Sequence, residues 1–170
     1  MNFQGSSSRQ GAWFEDACLR VLLEAGFGID AMHQTIADAG VEVDFIATSR
    51  VEISFYVLCK GSFRGRRPGL RRTDTLKKAL AEAQALRRQG WAPVLLLTSH
   101  LPNTPAGRAL LAGADPDVLF DAIALLDGER RLSWLAEASE AWLRADMARR
   151  RASFAAAPEQ ACFGSWRAAR

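Results

Sequence analysis

The sequence predicts an α/β domain: a mixed central sheet with an antiparallel hairpin early in the chain and helices flanking it. Three observations predict it. Val41–Ala47 and Val51–Lys60 carry the alternation, and the β-branched and aromatic residues, of strands on either side of a short polar turn. Apolar residues recur at helical spacing over 11–26, 73–89 and 129–151. Pro93–Thr98 is a continuous apolar run of the kind that fills a strand buried on both faces.

Taken in order, the first helix rests on Phe14, Ala17, Cys18, Val21, Leu22 and Ala25, and Gly26 ends it. Residues 1–10 are Ser-rich and unpatterned, and are set apart as a flexible N-terminus. A short strand is expected over Ile29–Ile36. Gly40 opens the alternating run Val41-Glu42-Val43-Asp44-Phe45-Ile46-Ala47, Thr48-Ser49-Arg50 forms the turn, and Val51–Lys60 returns. Gly61, Gly65, Pro68 and Gly69 mark a loop. Thr73 or Asp74 caps a helix that reaches Gln89 and stops at Gly90. Strand Pro93–Thr98, a short helix over Pro105–Ala112 and a strand over Val118–Leu126 follow. The last helix, Glu129 to about Arg151, sets Trp134, Leu135, Ala138, Trp142 and Leu143 on one side. Residues 152–170 are Ala-rich and read as a tail that docks or stays mobile. The order is that of one α/β domain, 11–151, with crossover connections after the hairpin.

Composition narrows the functional classes. The chain has 170 residues, 49% hydrophobic and 24% charged, which is enough apolar content for one soluble core and too much for disorder. No apolar run approaches the roughly 18 residues of a membrane span, so no membrane partner is expected. No basic region followed by an apolar block marks a signal peptide. Cys18, Cys59 and Cys162 are an odd number without paired spacing, so reduced thiols and a cytoplasmic location are expected. Two histidines, His33 and His100, argue against a His-rich zinc site, and neither is given a role. No GxSxG elbow supports a serine triad.

The net charge of +3 hides a sharp asymmetry. Lys60, Arg64, Arg66, Arg67, Arg71, Arg72, Lys77 and Lys78 face a single acid, Asp74, so residues 60–78 carry +7 and the rest of the chain −4. Cations among Gly and Pro suit a phosphate backbone, whereas the bland alternative is a solubilising loop. Arg64, Arg66, Arg67, Arg71, Arg72, Lys77 and Lys78 are the expected nucleic-acid contacts.

The hairpin carries the chemistry. With the turn centred close to Val51, Asp44 stands opposite Leu58 and Glu42 opposite Lys60. Residues two apart share a face, so Glu42, Asp44, Leu58 and Lys60 are expected together, with opposed Cβ atoms about 4.5–5.5 Å apart. Two carboxylates and an ammonium beside a cationic loop point to metal-assisted phosphodiester hydrolysis. Carboxylates hold a hard cation such as Mg²⁺, which polarises the phosphoryl group and acidifies a bound water. A lysine offsets the charge that builds on the phosphate. The plainer alternatives are a solvated strand face for Asp44, a cross-strand ion pair for Glu42 and Lys60, and dipole compensation for Glu15.

In these residues the chain resembles the PD-(D/E)XK nuclease superfamily, in particular its restriction-endonuclease-like and Mrr-like branches. The match lies in Gly11-Ala12-Trp13-Phe14-Glu15, in Val41–Ala47 and in Tyr56-Val57-Leu58-Cys59-Lys60-Gly61-Ser62, and spans residues 11–100. The resemblance implies a restriction-endonuclease-like core, a metal-binding Asp at Asp44, a catalytic lysine at Lys60 and a helix-one Glu at Glu15 that assists the metal. It implies Mg²⁺ or Mn²⁺ as cofactor and DNA as substrate.

One departure is serious. The acidic or amide residue of the third-strand motif falls on Leu58, which binds no metal. Glu52 lies six residues away, roughly 20 Å along the strand. Either Glu42 and Glu15 complete the metal site with Asp44, or the site has decayed and the fold serves as a nucleic-acid-binding or protein-interaction module. So small a domain has little room for base-reading elements, which points to a homodimer or a protein partner.

Overall fold

The computed structural model describes residues 3–62, 68–115, 117–125 and 129–137. Helix α1 (Phe3–Glu24) is followed by strands β1 (Gly28–Ile36), β2 (Val41–Thr48) and β3 (Ser54–Lys60). Helix α2 (Thr73–Arg88), β4 (Val94–Thr98), α3 (Pro105–Ala112), β5 (Asp121–Ala124) and α4 (Glu129–Glu137) complete it. The five strands form one mixed sheet in sequential order. β1, β2 and β3 run antiparallel, and β4 and β5 run parallel to β3. The expected α/β class and element order are those observed.

Helices cover both faces of the sheet. On one, Phe14, Cys18 and Leu22 of α1 and Leu132, Leu135 and Ala136 of α4 pack on Phe45, Phe55, Val57 and Leu97. On the other, Leu76, Ala79, Ala83 and Leu86 of α2 and Leu111 of α3 pack on Leu58, Val94 and Leu96. β4 is buried along its whole length, which is why its sequence is an apolar run without alternation. Phe55 packs edge-on between Phe27 and Phe120, with ring centroids 5.8 and 5.5 Å away. The parallel connections through α2 and α3 put both helices on one face, leaving the other to the terminal helices.

The boundaries differ from the sequence reading where local pattern is silent. α1 takes in residues 3–10, which have no apolar periodicity to announce a helix. β3 starts at Ser54 rather than Val51, because Ser49–Ile53 closes the turn. The Ser49 hydroxyl and amide both bond to Ile53, and Glu52 sits at φ 62°. β5 spans four residues rather than Val118–Leu126: Val118 and Leu119 donate to the Asp115 carbonyl in a turn. Beyond Glu137, the expected extent of the last helix, with Ala138, Trp142 and Leu143, lies outside the described residues, as does the tail 152–170.

Candidate functional site

The β2–β3 register is the expected one: Phe45 faces Val57, and Thr48 faces Ser54. The ladder stops at Phe45. There Asp44 turns its carboxylate onto the backbone, where its Oδ2 accepts from the Cys59 N–H at 2.7 Å. The short, charge-assisted bond replaces a ladder bond and pins Asp44 against β3.

The expectation that Glu42, Asp44, Leu58 and Lys60 share one face is corrected at this point. Val41 and Val43 pack in the α2-side core with Leu58, whereas Phe45 and Ala47 pack in the α1-side core. Residues two apart on a regular strand share a face. The alternation therefore slips between Val43 and Phe45, at Asp44. β1 is irregular at the same level, since Gln34 pairs Val43, Met32 pairs Phe45, and His33 between them sits at φ 49°. The slip carries Glu42 and Asp44 to the α1 side. Leu58 stays on the α2 side, fully buried.

Glu15 reaches Asp44 from α1. Phe14 and Cys18 anchor that helix in the core, and Gly61 lets it close on the end of β3: a Cβ on Gly61 would stand 2.4 Å from the Phe14 ring. The result is a group of three ligand atoms, one each from Glu15, His33 and Asp44, all within 4.8 Å of one another. Burial pushes the Glu15 carboxyl up from its ordinary value, and the neighbouring Asp44 charge adds to the shift. Burial also raises the Asp44 carboxyl, against the lowering pull of the Cys59 N–H and of Lys60. Crowded carboxylates that resist ionisation are relieved by a cation.

The donor set fits a divalent ion. Two carboxylates suit hard cations, and the imidazole extends the fit toward Mn²⁺. His33 also stands 3.9 Å from Glu15 and 3.8 Å from Glu42 through its two ring nitrogens. Glu42 thus lies behind the imidazole, outside the group of three, in the place of a carboxylate that orients a histidine ligand. His33 carried no role in the sequence reading. Its signal was available: the tight connection from Ile36 to Val41 puts residue 33 opposite residue 44.

Lys60 ends β3 and pairs with Glu82 of α2 at 2.9 Å, not with Glu42. Of the expected phosphate contacts, Arg64, Arg66 and Arg67 lie outside the described residues. Arg72 forks onto Asp74 at 2.9 and 3.4 Å, so its charge is partly spent locally. Arg71 is half-buried, with a covered Nε that has no hydrogen-bond partner among the described residues. Lys77 and Lys78 are exposed on α2. Cys59 packs in the core; burial and the neighbouring Cys18 push its thiol well above its ordinary value.

Comparison with family models, curated proteins and solved structures returns no match for the chain. None of the described helices is long and apolar enough to cross a membrane.

Proposed function

We propose that the protein is a metal-dependent nuclease that hydrolyses phosphodiester bonds in DNA on a restriction-endonuclease-like core of the PD-(D/E)XK type. The observation that carries this is the convergence of Glu15, His33 and Asp44, from three separate elements, to within 4.8 Å at the point where β2 leaves β3. Glu15, His33 and Asp44 would hold Mn²⁺ or Mg²⁺, with Glu42 orienting the imidazole. A cation there supplies Lewis-acid polarisation of a phosphoryl oxygen and a bound water of lowered pKa. Asp44 keeps its orientation through the Cys59 N–H bond. Lys60 contributes a positive charge next to Asp44 for the phosphate oxygens. The cations of residues 60–78 bind the DNA backbone, and the reduced buried thiols suit a cytoplasmic location.

One observation favours a second reading, a catalytically inactive DNA-binding or interaction module on the same fold. Leu58, at the acidic position of the third-strand motif, is an integral part of the core. A plasmid-nicking assay with Mg²⁺ or Mn²⁺ tests the choice. Wild type is expected to cut and Asp44→Ala is not. Cutting that survives in Asp44→Ala refutes the site. A wild type that binds DNA but cuts under neither metal leaves the second reading in possession.

A further inference from the structure

Strand β3 has no acid where one is expected, because Leu58 fills that place with core. The carboxylate paired with Lys60 comes instead from α2. On α2 the buried stripe is Leu76, Ala79, Ala83 and Leu86. Glu82 lies three residues after Ala79 and four before Leu86, so it projects along the same sheet-facing side. A carboxylate in that place loses much of its water and has to be compensated.

Lys60 compensates it. Its Nζ stands 2.9 Å from Glu82 Oε2, and both side chains are only 18% exposed. Lys78 stands 3.5 Å from Oε1, but it is 73% exposed and so remains largely in water. The inner pair is the desolvated one. It is close but poorly aligned: Oε2 is covered from solvent and has no hydrogen-bond partner of good geometry among the described residues. A contact of that kind holds a charge in place while leaving its directional bonds for another group.

We infer that Glu82 is a positioning residue, which holds the Lys60 ammonium at the end of β3 and keeps it from collapsing onto Asp44. This rests on Glu15, His33 and Asp44 being a cation site and on Lys60 facing the substrate phosphate. Asp44 stands beside the end of β3, its Oδ2 accepting at 2.7 Å from the N–H of Cys59, the residue before Lys60. Without Glu82, Lys60 would be free to turn toward the Asp44 carboxylate and compete with the metal for it. The acid missing from β3 is thereby supplied by α2, to the lysine rather than to the cation.

Two measurements on the intact protein test this. The first is reductive methylation of Lys60 in EDTA, mapped by mass spectrometry against exposed Lys77. Lys60 is expected to label several-fold more slowly than Lys77 in wild type, to lose that protection in Glu82→Gln, and to keep most of it in Glu82→Asp. The second is Mn²⁺ binding followed by electron paramagnetic resonance. Glu82→Gln should weaken Mn²⁺ binding about tenfold, in the range found for groups that support metal ligands. Adding Lys60→Met should restore it, an outcome that a merely structural ion pair would not give. Lys60→Met alone should bind Mn²⁺ at least as tightly as wild type, and it serves as the second variant if Glu82→Gln fails to fold. Unchanged Lys60 protection or unchanged Mn²⁺ affinity in Glu82→Gln, no rescue in the double variant, or weaker binding in Lys60→Met overturns the inference. A wild type that binds no Mn²⁺ instead overturns the cation site on which it rests.

Discussion

Replacing Asp44 separates its role in the fold from its role at the site. Asp44→Ala removes the acceptor for the Cys59 N–H, a 2.7 Å bond on a residue that is itself buried. A buried donor left without a partner costs about 1–3 kcal/mol. At about 2–4 °C per kcal/mol for a chain of this size, Tm should fall by roughly 2–12 °C. Asp44→Asn keeps an acceptor and removes only the charge. Burial raises the Asp44 carboxyl, so the folded state holds that proton more tightly than the unfolded chain does. The stabilisation from protonation is complete below the ordinary value of 3.8 and is lost as pH rises through the higher folded value. At neutral pH in EDTA, Asp44→Asn should therefore melt above wild type, and the gap should close toward pH 3. Metal reverses the order. For a millimolar site, 10 mM Mn²⁺ stabilises wild type by about 1.4 kcal/mol, or roughly 3–6 °C, and should leave Asp44→Asn unmoved. Scanning calorimetry of the three proteins in EDTA and in MnCl₂ reads all of this. The reasoning is refuted if Asp44→Asn melts below wild type in EDTA, or if it gains as much from Mn²⁺ as wild type does.

Three further outcomes are expected. Leu58→Glu should not restore activity: it forfeits about 1.5–3 kcal/mol of apolar burial and sets a charge among Leu76, Ala79 and Leu96. Urea unfolding should show a steep loss of midpoint, and a wild-type midpoint would contradict the packing. His33→Gly relaxes a residue held at φ 49° and should leave Tm equal or higher while weakening Mn²⁺ binding in calorimetric titration; undiminished affinity would remove His33 from the site. The salt dependence of DNA binding should follow a log–log slope of roughly −4, flattened by about two in Arg66→Ala/Arg67→Ala. Arg72→Ala, whose charge is already paired with Asp74, should change it less. An unchanged slope in the double variant would make the basic run a solvated loop.

Much of the scaffold was legible in the sequence because its signals are local. Alternation in Val41–Ala47, the apolar run of β4 and the stripe of α2 each report the burial of a single element. The β2–β3 register followed from one short turn, since pairing is antiparallel and the turn sets it. The same signals fail where an element departs from its own regular pattern. Nothing in the residues around Asp44 announces that alternation slips there, and extending the pleat through it puts Glu42 beside Lys60, where it does not lie.

Local pattern was enough for the α/β class, the order of the elements and the register of the hairpin. Packing between elements decided what Glu15, Asp44 and Lys60 meet. The short β1–β2 connection sets His33 opposite Asp44, but the break in the pleat at that level turns Asp44 to the α1 side, and Glu15 arrives because Phe14 of α1 closes over Gly61. Glu82 meets Lys60 because α2 packs its Leu76–Leu86 stripe on the sheet. Periodicity reports which side of an element is buried, but the neighbours of a side chain across two layers depend on how every intervening core residue packs.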